Sequence, residues 1–203
     1  MVTRVGIMLF PDVEELDLVG PYQVFGAAQA VKPEAFQVFL VASQAPDPIR
    51  CVNGLRVLPD YDFDTSPPID LLLIPGGVGT RTVAKDDRSV AWVRATAATS
   101  RNIASVCTGA RVTLAAGIAE GRRITTHWTA IEELRADGRA AAVLDDVRYV
   151  QDGNVVHSAG VSAGIDMSLW LLGQIEGPEF AREVQKAIEY FPEPPYSDEE
   201  RGI

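Results

Sequence analysis

Cysteine and histidine are both scarce in this chain of 203 residues, with two of each. Cys51 and Cys107 make neither a disulfide framework nor a paired-cysteine metal site. Neither His127 nor His157 has a second ligand at metal-site spacing, so no metal is expected. Basic residues are few: Lys and Arg number 18 against 28 Asp and Glu, a net charge of −10, and no stretch concentrates them. Nucleic acid is therefore not an expected partner, because phosphate contacts need clustered Lys and Arg. Long apolar runs are also missing. None is long enough to cross a bilayer. The early apolar run over 5–10 is too short for a signal-peptide core and leads to no cleavage pattern. A soluble, cytoplasmic protein with no membrane partner is expected.

What is present is ordinary globular composition, 47% apolar and 23% charged, in a chain of the size of one α/β domain. Continuous apolar runs at 5–10, 36–42, 69–74 and 103–106 read as strands buried on both faces of a parallel sheet. Helical segments alternate with them at 18–31, 86–100, 108–119 and 129–136, and the chain closes on helices at 163–175 and 178–191. A short strand is expected at 123–126. Asn53-Gly54 within 50–58, and Asp152-Gly153 between 147–151 and 154–158, signal hairpins. The alternation predicts one three-layer α/β sandwich with a mostly parallel, flavodoxin-like central sheet. The domain is expected over 1–196, with a tail at 197–203 in a proline-rich, acidic stretch on the surface.

In such folds ligands collect outside the carboxyl ends of the strands. The loops there are 11–20, 76–80 and 107–109. The most informative is the last, where Ile103-Ala104-Ser105-Val106 runs straight into Cys107-Thr108-Gly109 and a helix-like segment. A thiol at a sharp strand-to-helix turn matches a nucleophile elbow after a central strand. A helix N-terminus beside the sulfur would favour thiolate, although a free cysteine is as often a small buried hydrophobe. Thr108 is placed either to cap the new helix or to position substrate or water. Asp17 lies between Leu16 and Leu18 in a segment that should pack down. Helix N-cap is its simplest role. As a desolvated acid near Cys107, it would hold a proton near neutral pH. Gly76 and Gly77 follow a buried strand directly; they form either a tight turn or a pair of N–H donors facing substrate or oxyanion. Val78-Gly79-Thr80 completes no nucleotide-binding pattern. His127, in Thr125-Thr126-His127-Trp128, is a candidate second-shell residue or a Cys–His partner, and equally a packing or capping residue. Gly160-Val161-Ser162, turn-like before a helix, is expected to shape the substrate entrance.

Taken together, these residues resemble the PfpI-type branch of the class I glutamine amidotransferase-like superfamily, and within it the isonitrile hydratase group. The matching pieces are Leu9-Phe10-Pro11 with Leu16-Asp17-Leu18-Val19-Gly20-Pro21, Asp70 through Gly77, Ser105 to Gly109, Thr125 to Trp128, and Ala163-Gly164-Ile165-Asp166. The resemblance implies hydration of R–N≡C to an N-substituted formamide without a cofactor. It implies Cys107 as nucleophile, Asp17 as general acid/base and Thr108 as a positioning group, in a homodimer. Peptidase-like relatives carry His where this chain has Thr108. Glyoxalase- and deglycase-like relatives usually carry Glu where it has Asp17. Similar domains form the ligand-sensing half of transcription regulators with an appended helix-turn-helix, which is not legible through Ile203. A glyoxalase-like enzyme, or a ligand- or redox-sensing thiol protein, remains the alternative.

Overall fold

The computed structural model describes residues 2–195. Its central sheet is built from β1 (Thr3–Leu9), β2 (Phe36–Ala42), β5 (Tyr61–Asp62), β6 (Leu71–Ile74), β7 (Asn102–Val106), β10 (Tyr149–Asp152) and β11 (Val155–Ser158), with β3 (Ile49–Arg50), β4 (Arg56–Val57), β8 (Arg123–Thr125) and β9 (Ala142–Leu144) outside it. The order across the sheet is β10-β11-β7-β6-β1-β2-β5, and every pair is parallel except β10 with β11. The apolar runs explain the parallel centre. Leu71 to Ile74 are all fully buried, as are Val5, Ile7 and Val41, so both sheet faces are covered.

The covering layers are α1 (Glu15–Val31), α6 (Ala163–Glu176) and α7 (Pro178–Ala187) on one side, and α2 (Thr80–Val83), α3 (Asp87–Ala97) and α4 (Gly109–Ala115) on the other. Asp86 caps α3 by accepting from the Ser89 N–H. A smaller core of Leu114, Ile124, Ile131, Leu134 and Val143 joins α4 to α5 (Ile131–Asp137) and to the parallel pair β8–β9. The sandwich expected from the sequence is therefore present, and the strand order reverses between β1 and β6. The carboxyl ends of those two strands and of β7 border one crevice.

Several local expectations need correction. The helix after Cys107 stops at Ala115 rather than running through 119, because Gly117 and Gly121 turn the chain with positive φ. The segment over 129–136 begins as a 3₁₀ turn, Trp128–Ala130, before α5. The hairpin at Asn53-Gly54 is real but pairs only two residues per strand, apart from the main sheet. β5, β9 and α2 carry too few residues to show a period in the sequence. The expected tail over 197–203 lies outside the described residues. Among the described residues no helix is long and apolar enough to cross a membrane.

Candidate active site

β7 ends at Val106, and Cys107 occupies the turn into α4 with φ +56°. That left-handed conformation costs a non-glycine residue about 1–3 kcal/mol and persists only where the surroundings hold it. Here they hold both sides. The Cys107 N–H donates to the carbonyls of Ser158 and Ala159, each at 3.1 Å, and the Thr126 hydroxyl donates to the Cys107 carbonyl at 2.8 Å. The thiol is thus presented from an anchored backbone and is only 6% exposed.

Asp17 reaches the same place from the other side of the crevice. It is not the helix cap: α1 starts at Glu15, Glu14 is the cap residue, and Asp17 sits inside the first turn, fully buried. Its Oδ2 accepts from the Gly76 N–H at 3.0 Å, and the carboxyl packs with the Cys107 side chain against Gly76. Its Oδ1 is buried without a side-chain or backbone bond of good geometry. Burial is the main reason the carboxyl is raised from 3.8 to about 7; Glu14's charge adds to it, and the Cys107 thiol and the Gly76 N–H oppose it.

Burial likewise pushes the Cys107 thiol up to about 12, with the Asp17 carboxylate working in the same direction. The polar Thr108 N–H and hydroxyl beside the sulfur pull it back only in part. This corrects the expectation of a resting thiolate, since α4 is short and desolvation outweighs its N-terminal field. Near neutrality the pair holds one proton on sulfur, while a second exchanges at the carboxyl.

Gly76 and Gly77 also need correction. Their N–H groups are taken by protein: Gly76 by Asp17, and Gly77 by the Thr108 hydroxyl at 3.0 Å. They order the site instead of presenting free donors to a substrate oxyanion. Gly76 has a further reason to be glycine. A Cβ there would lie 2.6 Å from Asp17 Oδ2 and 2.8 Å from Cys107 Cβ. Thr108 makes no side-chain cap of α4; its hydroxyl exchanges bonds with Gly77 N–H and carbonyl, the latter at 3.1 Å.

Two supporting residues were not singled out from the sequence. Thr80 donates to the Gly77 carbonyl at 2.7 Å and lies 3.3 Å from the Thr108 hydroxyl. Arg111 donates to Thr80 at 2.9 Å and binds Glu133 with two bonds, of 2.8 and 2.7 Å. Arg111 is one turn past Cys107, the only signal the sequence offered. His127 lines the same cavity as Cys107, but its Nδ1 bonds Thr129 Oγ1 at 2.8 Å, so no Cys–His pair forms. His157 is fully buried elsewhere, with Nε2 on Thr113 Oγ1 at 3.0 Å. The cavity over the thiol measures about 190 Å³ and has Val52, Val78 and Val161 among its walls. Among the described residues no group of His, Cys, Asp and Glu is arranged to hold a metal ion.

Residues 3–174 match the model of the DJ-1/PfpI family. The chain belongs to the DJ-1/PfpI family. It is 38% identical over 196 residues to an isonitrile hydratase of Pseudomonas putida, covering 97% of this chain and 82% of that protein. It is 27% identical to a glutathione-independent glyoxalase of Caenorhabditis elegans, covering 90% and 94%. A solved DJ-1/PfpI-type structure, a ThiJ/PfpI family protein from Pseudomonas syringae, superposes with a TM-score of 0.87 at 30% identity, covering 97% of this chain and 78% of that one. The family fold is the parallel α/β sandwich read from the sequence.

Proposed function

We propose that this protein hydrates isonitriles to N-substituted formamides by covalent catalysis at Cys107, with Asp17 as the proton carrier. The observation that carries the reading is the buried Asp17 carboxyl beside the Cys107 thiol, both packed against Gly76, at a small cavity that Val52, Val78 and Val161 line together with Glu14, Arg81 and Arg111. The 38% identity to an isonitrile hydratase supports the same substrate class.

The chemistry needs one proton moved twice. Asp17 carboxylate takes the thiol proton as sulfur bonds to the terminal carbon of R–N≡C, and returns it to that carbon. The product is a thioimidate, Cys–S–CH=N–R. Water then adds across C=N, with Asp17 and Thr108 orienting it. The tetrahedral adduct collapses, the C–S bond breaks, and the proton passes back to sulfur, leaving HC(O)NHR. A carboxyl raised to about 7 both accepts and donates near neutral pH, as general acid–base work requires. Splitting one hard addition into two steps is the gain from covalent catalysis. Thr108, held by Gly77 and steadied by Arg111 with Thr80, sets its N–H and hydroxyl beside the sulfur.

The substrate is a small molecule, and the reaction calls on no cofactor, nucleic acid or membrane. A homodimer is part of the proposal. Val19, Tyr22 and Leu58 are exposed around one shallow apolar cleft on α1 and the β3–β4 hairpin, a face suited to a second copy. Sedimentation at two concentrations tests that.

The decisive test follows formamide production from phenyl isonitrile in the ultraviolet, with the native protein and Cys107→Ala side by side. Turnover that vanishes in the variant supports the reading. A native protein inert toward isonitriles, yet active on methylglyoxal, would replace it with the glyoxalase reading. A redox-sensing role is less favoured, because a thiol pushed up to about 12 is poorly ionised and so slow to oxidise.

A further inference from the structure

His127 and Val161, which line the cavity over Cys107, also line a second, neighbouring cleft of about 560 Å³ together with Trp128, Ile131 and Val147. His127 packs directly over the backbone of Gly160, where a Cβ would come within 2.1 Å of the imidazole Cδ2. Only glycine lets the ring lie there. Burial keeps His127 below its ordinary pKa, so the ring that borders both spaces is neutral at neutral pH.

Trp128 is the unusual residue of this cleft. It is 65% exposed although it is the largest apolar side chain near the site, and its ring stands 5.6 Å from that of His127 at 34°. A tryptophan left uncovered beside an active-site cavity has a flat face free for stacking. The charges around it are mostly satisfied. Asp145 pairs with Arg135 at 2.9 Å and Arg148 with Asp166 at 2.7 Å, which leaves Asp146 at the rim. The inner cavity is the size of an isonitrile head with a small substituent; the outer cleft is about three times larger.

We infer that the Trp128 cleft is the subsite for the substituent of the isonitrile, and that the enzyme is built for aryl and other bulky apolar isonitriles rather than small alkyl ones. The inference rests on the hydratase reading for the reacting head and adds the part of the substrate that reading left open. In it, N≡C sits at Cys107, the chain of atoms passes His127 and Val161, and an aromatic substituent lies on the Trp128 face. Trp128 is then a specificity residue, acting on the substituent and not on the reacting atoms.

The test compares 2-naphthyl with methyl isonitrile. Trp128→Ala removes the stacking face, and Val147→Trp fills the cleft while keeping Trp128. Each should lower the ratio of kcat/KM for naphthyl over methyl substrate about tenfold, the size of one lost aromatic contact. Binding of the product N-(2-naphthyl)formamide, measured by calorimetry, should weaken by a similar factor. Ratios and binding that match the native protein, with turnover intact, overturn the subsite and leave the hydratase reading standing. No turnover of either isonitrile, with naphthylformamide binding still weakened by Trp128→Ala, overturns the hydratase reading and supports the subsite.

Discussion

The carboxyl of Asp17 and the thiol of Cys107 lie beside each other inside the protein; the carboxylate makes the thiol harder to ionise, while the thiol makes the carboxyl easier to ionise against the larger effect of its burial. Two acids this close, both desolvated, do not give up their protons independently. The first proton to leave is the one on Asp17, near pH 7. That makes Asp17 the group whose charge state sets the behaviour of the site.

Asp17→Asn should lower turnover by about a hundredfold or more, the usual contribution of a positioned general acid–base. The same change should stabilise the fold at pH 8. The sign follows from the folded carboxyl being raised above its ordinary 3.8. Its stability contribution is full below about 3.8 and is lost as pH rises to about 7, so above 7 the native protein carries a buried carboxylate that the variant lacks. Calorimetric melting at pH 8 should show a higher Tm for Asp17→Asn; a lower one contradicts the assigned shift.

Removing the carboxylate should also ease ionisation of Cys107. Burial is the larger cause of its raised value, so the thiol in Asp17→Asn should still titrate above its ordinary 9.0, but at lower pH than in the native protein. Thiolate absorbance followed against pH, with Cys107→Ala as the blank, measures this. An unchanged midpoint would mean that the two groups are not coupled.

His157 predicts acid sensitivity that has nothing to do with the site. The Thr113 hydroxyl donates to the Ala110 carbonyl and meets His157 Nε2, while Nδ1 has no partner. Burial holds the ring down to about 3, so it stays neutral in the fold while an unfolded histidine charges near 6.5. Stability from this group is therefore present above 6.5 and falls with pH down to about 3, by up to about 1.4 kcal/mol per pH unit. Urea unfolding of native protein and His157→Gln at pH 7 and pH 5 should show the native curve shifting more with acid.

Glycine substitutions separate the site from the scaffold. Gly76→Ala drives a methyl to within 2.6 Å of Asp17 Oδ2 and 2.7 Å of the Thr108 nitrogen, and should destabilise by about 1–3 kcal/mol while abolishing turnover. Gly26→Ala, in the middle of α1 with nothing within 4 Å of the new methyl, should stabilise by about 0.5–1 kcal/mol and leave turnover unchanged. Thermal melts and the isonitrile assay on both variants check this.

By itself the sequence determined the scaffold. Runs such as Leu71 to Ile74 read as strands buried on both faces, and their alternation with helices points to a parallel sandwich as the fold. It also placed Cys107 at a strand-to-helix turn, because an apolar run stops there at a small residue and a glycine. It marked Asp17 as an acid among leucines. What those residues do to one another was decided only by tertiary structure. Adjacency of β1, β6 and β7 brings Asp17, Gly76 and Cys107 together across one crevice, and no local signal carries strand order. Whether Gly76 and Gly77 N–H groups face substrate or protein depends on where Asp17 and Thr108 end up. The protonation of the thiol depends on how deeply that crevice buries it, which outweighs the field of the short helix that follows. Side chains set the local conformations, while contacts between distant segments set burial, and burial sets the charge states on which the chemistry turns.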